Sequence, residues 1–334
     1  MSYPSSAVGG RESTNPKYLI LAGTEKSGTT SVYQYLAAHP DVVASARKET
    51  DYFRSPPPHA RAAYETLFPG AAPGLLRMEA SPGYLAESHL AAHAIATLIP
   101  DAKLLFILRN PIDRLLSSFE FHKSRFLIPR ELSFDAYVTL CMRFEHREIA
   151  PAEAGLGEWF LRVPDAGRYA KHLQDYEAHF SREQLKVMTL DRLQRDARNF
   201  MRAICKWAEL DDDFYNGFDF VRANVTFSPR RAWLQRAGLR VNDALEPFFN
   251  RHPAAKQRLL RWYKRINGKP AEKPHMSPAT TRLLLDYYGG DIDALIEHFA
   301  EDVAEARGWL AKYQPLAEST RVYMDRGRQP EDGK

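Results

Sequence analysis

The sequence predicts an α/β fold in three layers, a central, mainly parallel sheet flanked by helices. Three stretches carry that prediction. Residues 18–22 are an apolar burst of strand length that ends at Gly23, passes through a short polar loop and restarts as a periodic run over residues 31–38. Residues 104–108 are five consecutive apolar residues, as expected of a strand buried on both faces in the middle of a parallel sheet. Residues 185–190 repeat the strand signal ahead of another helical pattern.

Bulk properties set the frame. With 334 residues, 44% hydrophobic and 26% charged, the chain has material for a full core and shows no internal repeat. A net charge of +4 arises from scattered Lys and Arg, which suits anionic ligands better than a nucleic-acid tract. Cys141 and Cys205 sit far apart in helix-like patterns without His neighbours, so they are expected as buried, reduced thiols. The first sixteen residues lack a basic-then-apolar signal pattern, and no run nears the ~20 apolar residues that span a bilayer, so a cytoplasmic enzyme without an anchor is expected. The domain is placed at residues 17–312, between a flexible segment at 1–16 and a polar tail at 313–334.

The first loop reads as an anion cradle. Gly23 and Gly28 allow backbone conformations closed to other residues, so successive N–H groups of Thr24, Lys26 and Ser27 can converge on one anion. Thr29 and Thr30 fall at a helix N-terminus, where unpaired N–H groups carry partial positive charge, and Lys26 adds a full one. The order differs from Gly-x-x-x-x-Gly-Lys-Ser/Thr, because Thr29 holds the lysine position while Lys26 precedes Gly28. A glycine-containing turn before any buried helix would give the same local pattern.

After the first helix, His39-Pro40 stops the run, residues 41–44 form a short strand, and Lys48, Glu49 and Phe53 follow it. Residues 55–59 are a proline-rich loop and 61–68 a short helix. Residues 75–80 read as a strand with Ser81-Pro82-Gly83-Tyr84 as its turn, and 88–99 as an amphipathic helix. Arg109 emerges at the carboxyl end of the 104–108 strand, where open α/β sheets bind ligands. Pro111 suits the first turn of the next helix, and Ser117 and His122 lie further along it. His122 is a second candidate acid or base, against the expectation of an exposed helix histidine. Ser133 caps a predicted helix to residue 147, residues 151–164 form a loop bearing Trp159 and Phe160, and helices follow over 167–180, 191–208 and 277–300 and on to residue 310.

Gly23-x-x-Lys26-x-Gly28-Thr29-Thr30 after a strand resembles the 5′-phosphosulfate loop of the sulfotransferases that use 3′-phosphoadenosine 5′-phosphosulfate. Arg109-x-Pro111-x-x-Arg114-x-x-Ser117 resembles the 3′-phosphate pattern of the same family, which implies that Arg109 and Ser117 grip that phosphate. Lys48, Glu49 and Phe53 resemble a segment of the heparan sulfate type and of bacterial relatives, in which the glutamate is proposed as general base. That points to Glu49, which suits the task if Tyr52 and Phe53 raise its pKa. Asp51 or Tyr52 stands where the family often has His. Glu79-x-Ser81-Pro82-x-Tyr84 also resembles the family, leaving Glu79 either a second carboxylate near the sulfuryl group or the residue that fixes the turn.

The resemblance covers roughly residues 17–312 and implies a P-loop-like fold, sulfuryl transfer to the hydroxyl of a carbohydrate or other small-molecule or lipid acceptor, and 3′-phosphoadenosine 5′-phosphate as product. It implies catalytic roles for Lys26, beside the leaving phosphate, and Glu49. Arg230, in a segment resembling that of bacterial members, and Lys269 are weaker cofactor candidates. A kinase-like phosphotransferase is the first alternative. It is disfavoured by the lysine order and by a strand that ends in Arg109 where a magnesium-binding Asp would stand, so no metal is expected. A non-catalytic nucleotide-binding protein is the second; the presence of both Lys26 and Glu49 argues against it.

Overall fold

The computed structural model describes residues 16–55, 58–221, 227–229, 231–245, 259, 263, 265–270 and 274–318. The apolar runs become five strands: β1 Lys17–Gly23, β2 Val42–Ala44, β3 Leu76–Ala80, β4 Lys103–Leu108 and β5 Leu185–Thr189. They lie in the order β2-β3-β1-β4-β5, and every neighbouring pair is parallel. β1 is therefore central, with Ile20 opposite Glu79 on one side and Leu104 on the other.

Parallel neighbours need crossovers, and the crossovers supply the two helical layers. Side chains alternate between them. Leu19, Leu21, Leu105 and Ile107 face a core shared with Val32 and Leu36 of helix α1 (Thr29–Ala37) and with Phe200 and Ile204. Tyr18, Ile20, Ala22, Leu104 and Phe106 face the opposite, larger core. That core takes Ile95 of α3 (Ser88–Leu98), Leu115 of α4 (Pro111–Ser124) and Leu284 and Leu295 of the long helix Pro278–Phe299. A short helix, α2 (Arg61–Glu65), precedes β3.

Ser133 caps α5 (Phe134–Glu145) by accepting from the Ala136 N–H at 3.1 Å, as its sequence position predicts. The segment expected as a loop over 151–164 instead contains two single-turn helices, α6 (Pro151–Ala154) and α7 (Glu158–Leu161), and leads into α8 (Tyr169–Glu177). The single helix expected over 191–208 is two, α9 (Leu190–Arg195) and α10 (Ala197–Ala208). Asp196 separates them because its carboxylate accepts from the Asn199 N–H at 3.0 Å, and aspartate is worth more as a cap than inside a helix.

A separate two-stranded sheet pairs β6 (Phe227–Pro229) antiparallel with β7 (Gly268–Pro270), and α11 (Ala232–Ala244) follows β6. Lys269 thus lies in β7 opposite Ser228, while Arg230 lies outside the described residues. Polar residues from Gln314 open as a helix, Gln314–Glu318, and Arg282 donates to the Ala317 carbonyl at 2.5 Å. Cys141 and Cys205 are free and buried. Among the described residues, no helix is long and apolar enough to cross a membrane.

Candidate active site

Loops leaving the carboxyl ends of β1, β3 and β4 converge, and the sheet order dictates that they do, since β1 lies between the other two. Gly23 ends β1 where a Cβ would stand 2.7 Å from Leu85 Cβ, so only glycine fits there. Thr24 is buried and donates its N–H to the Ile107 carbonyl at 2.9 Å, which ties the loop to β4. Gly28 takes a left-handed conformation with φ 82° and is the N-cap of α1 with no side-chain cap. The first-turn N–H groups of α1, including those of the buried Thr29 and of Thr30, receive no side chain from that cap. Ser27 is buried and its Oγ has no hydrogen-bond partner. A buried orphan hydroxyl beside an uncapped helix N-terminus fits an anion.

Lys26 also has a left-handed backbone, with φ 67°. Its Nζ lies 4.0 Å from the centroid of the Phe121 ring on α4. Burial pushes its pKa down to about 8; Arg109 and Arg125 add to that, and Glu25 and Glu49 oppose it. The amine is still mostly charged at neutral pH.

Arg109 leaves β4 and donates from Nη1 to the Lys26 carbonyl at 3.0 Å, while its own carbonyl accepts from the Tyr169 hydroxyl at 2.7 Å. Asn110 then caps α4 by accepting from the Ile112 and Asp113 N–H groups at 3.0 and 3.2 Å, with Pro111 in the first turn. Ser117 precedes Phe121 by one helical turn and so shares the face of α4 that meets Lys26. The structure therefore brings together the loop, Arg109 and the Ser117 face of α4.

Glu49 follows β2 with φ 61° and donates its N–H to the Ala80 carbonyl at 2.8 Å. Its side chain is 58% exposed and paired with Lys48. Its charge reaches both Lys26 and Glu25. The expected apolar cover is not there, because Tyr52 and Phe53 turn into an aromatic cluster with Tyr64, at 5.1 and 5.0 Å between centroids. Glu79 is fully buried, accepts from the Thr50 hydroxyl and lies beside Tyr84, whose hydroxyl also accepts from the Phe53 N–H at 3.2 Å. It thus clasps the loop that carries Glu49. Burial pushes its pKa up to about 7, against the Thr50 and Tyr84 hydrogen bonds.

His122 corrects the expectation of an exposed histidine: it is 5% exposed, with its ring 5.0 Å from Phe160 of α7. The 151–164 segment packs over this face of α4 and encloses the ring. Burial, with the charges of Lys26 and Arg114 adding to it, pushes its pKa down to about 4, so it is neutral at physiological pH. Glu25 is the residue sequence reasoning passed over, as one more polar loop position. Burial raises its carboxyl pKa and Glu49 adds to that, while Arg114, Arg54 and Lys26 oppose it. Its one sequence signal is adjacency to Lys26. Among the described residues, no group of His, Cys, Asp and Glu could hold a metal ion.

The fold and the site define an α/β protein with a glycine-bearing loop on its central strand and an arginine from the next strand closing on it. The chain belongs to the sulfotransferase domain family, whose model matches residues 16–223. It is 28% identical over 200 residues to mouse heparan sulfate glucosamine 3-O-sulfotransferase 3B1, covering 60% of this chain and 48% of the relative. It is 25% identical over 226 residues to the bifunctional heparan sulfate N-deacetylase/N-sulfotransferase 1 of Caenorhabditis briggsae, covering 64% and 24%. The chain thus spans about half or less of the length of these curated relatives. Among solved structures, a sulfotransferase from Alicyclobacillus acidocaldarius shares the fold with a TM-score of 0.59 at 22% identity, over 88% of this chain and 99% of that one.

Proposed function

We propose that the protein transfers the sulfuryl group of 3′-phosphoadenosine 5′-phosphosulfate to an acceptor hydroxyl. The observation that carries this reading is the 3.0 Å bond from Arg109 to the Lys26 carbonyl, which joins the two phosphate motifs in one place although 83 residues separate them. The donor supplies the activated sulfuryl group when bound. The Gly23–Thr30 loop holds its 5′ end through backbone N–H groups and the orphan Ser27 hydroxyl. Arg109 and Ser117 hold the 3′-phosphate, the guanidinium through its planar fork. Lys26, charged and partly desolvated over Phe121, stabilises negative charge gathering on the leaving phosphate. Glu49 takes the acceptor proton from the open side of the site.

The test is transfer of label from the donor to hydroxyl acceptors, with binding of 3′-phosphoadenosine 5′-phosphate compared with binding of ATP plus magnesium. Lys26→Ala is expected to lower turnover by at least about 100-fold. Glu49→Gln is expected to lower it by about 100-fold with bisphosphate affinity intact. A near-normal rate for Glu49→Gln removes it from the base role, and preference for ATP plus magnesium refutes the class of reaction.

A further inference from the structure

Helix α11 turns an apolar stripe to solvent. Trp233, Ala237 and Val241 recur at four-residue spacing, and Leu245 extends the row, since its N–H donates to the Val241 carbonyl at 3.0 Å. Trp233, Val241 and Leu245 are 64%, 47% and 42% exposed. The packed face of the helix is a different one: Gln235 is buried and donates to the Ser124 carbonyl at 3.3 Å, and a Cβ on Gly238 would stand 3.3 Å from the Tyr263 ring. The stripe is therefore outside the packing that holds the helix. Nor is it scattered exposure, because five of the ten large hydrophobic side chains exposed among the described residues fall within residues 233–266.

Positive charge runs along one flank of the stripe. Arg236 and Arg240 are exposed on the next row of α11, and the Arg236 guanidinium lies 4.8 Å from the Phe126 ring, with that of Arg130 at 5.6 Å from the same ring. Leu127 follows Phe126 and is 50% exposed. Residues 123–131 and 231–241 together carry six Lys or Arg and one acid, Glu131. A surface helix with tryptophan and aliphatic residues on one strip and arginines beside it suits the lipid interface, where anionic headgroups meet the arginines. A soluble polyanion would engage the arginines and leave the apolar strip in water.

We propose that this face docks on an anionic lipid bilayer, with Trp233, Val241 and Leu245 at the boundary between headgroups and acyl chains and Arg130, Arg236 and Arg240 on lipid phosphates. The face borders the candidate site, because α11 is anchored at the end of α4, where the Arg125 guanidinium stands 5.3 Å from the same Phe121 ring that Lys26 covers. Docking thus sets that edge of the site near the headgroups. The assignment stands apart from the sulfuryl-transfer reading and is tested without turnover.

The full chain is floated on a density gradient with vesicles of phosphatidylcholine alone and with vesicles in which about one lipid in three is phosphatidylglycerol. Wild type is expected to bind the anionic vesicles at least about tenfold more strongly than the neutral ones. Trp233→Ser combined with Val241→Ser should weaken that binding about tenfold or more. Arg236→Gln combined with Arg240→Gln should remove most of the preference for anionic lipid. All four side chains are exposed, so the melting temperatures of both variants should match wild type. No binding of wild type to anionic vesicles, or binding unchanged by the Trp233 and Val241 substitutions, overturns the assignment. Binding that heparin competes away and that those two substitutions leave intact marks a polyanion site made of the arginines alone, and overturns it as well.

Discussion

Replacing Glu79 by Gln isolates one buried carboxyl under the loop that carries Glu49. Its pKa is pushed up to about 7 from the ordinary 4.5, by burial first and by the Asp51 charge in addition. A folded-state pKa above the unfolded value means that the folded protein binds more protons between the two, so stability falls as pH rises through this window. A shift of about 2.5 units at 1.36 kcal/mol per unit gives a loss of about 3 kcal/mol from this residue between pH 4.5 and pH 7. In Glu79→Gln the amide carbonyl can still accept from Thr50, and no proton is linked to folding at that site. Urea unfolding of both proteins from pH 5 to pH 8 should show the variant gaining on the wild type as pH rises, by about 2 to 3 kcal/mol over the range. A difference that stays constant within about 0.5 kcal/mol would refute the buried, proton-holding role of Glu79.

Arg109→Lys keeps the charge but loses the planar fork, so the dissociation constant of 3′-phosphoadenosine 5′-phosphate should rise about tenfold or more; unchanged affinity in a binding titration would remove Arg109 from the phosphate site. For His122 the sign is opposite to that of Glu79, because its pKa falls from 6.5 to about 4 on folding. Its contribution is complete above pH 6.5 and is lost toward pH 4, worth about 3 kcal/mol, and His122→Asn should flatten that part of the acid unfolding profile. Gly23→Ala places a Cβ 2.7 Å from Leu85 Cβ and should cost about 1 to 3 kcal/mol of stability; Leu85→Ala should not restore it, because that contact is with Cβ.

The convergence of the Gly23–Thr30 loop with Arg109 was legible because both are contiguous residues beside strands. The apolar runs ending at Gly23 and Leu108 fixed both the sheet and the places where the loop and Arg109 emerge. Glu49 was legible by position but not by environment: Tyr52 and Phe53 turn away from it because Tyr64, on α2, offers a buried aromatic partner. His122 and Glu25 were not legible in their environments. His122 is buried by Phe160, on a segment that reads as an open loop, and Glu25 is enclosed through residues 54, 83 and 114, all distant in the chain. Burial of a polar side chain by remote elements leaves no local pattern to read.

The backbone ties the Lys26 loop and the loop carrying Glu49 and Asp51 to the strand ends. Lys26, Glu49 and Asp51 are non-glycine residues with φ of 67°, 61° and 52°, a conformation that costs such residues about 1 kcal/mol or more each. Glycine would relieve the cost at each position, at the loss of an amine or a carboxylate. Each strained residue is pinned by a bond from or to another strand end: Arg109 to the Lys26 carbonyl, the Glu49 N–H to the Ala80 carbonyl, and the Asp51 N–H to Ser81 Oγ at 3.0 Å. The contacts that draw the separated motifs together are thus the ones that hold Lys26 and Glu49 in conformations their own sequence disfavours. That is why the loops need a parallel sheet with β1 at its centre: only there do the ends of β3 and β4 flank the same loop.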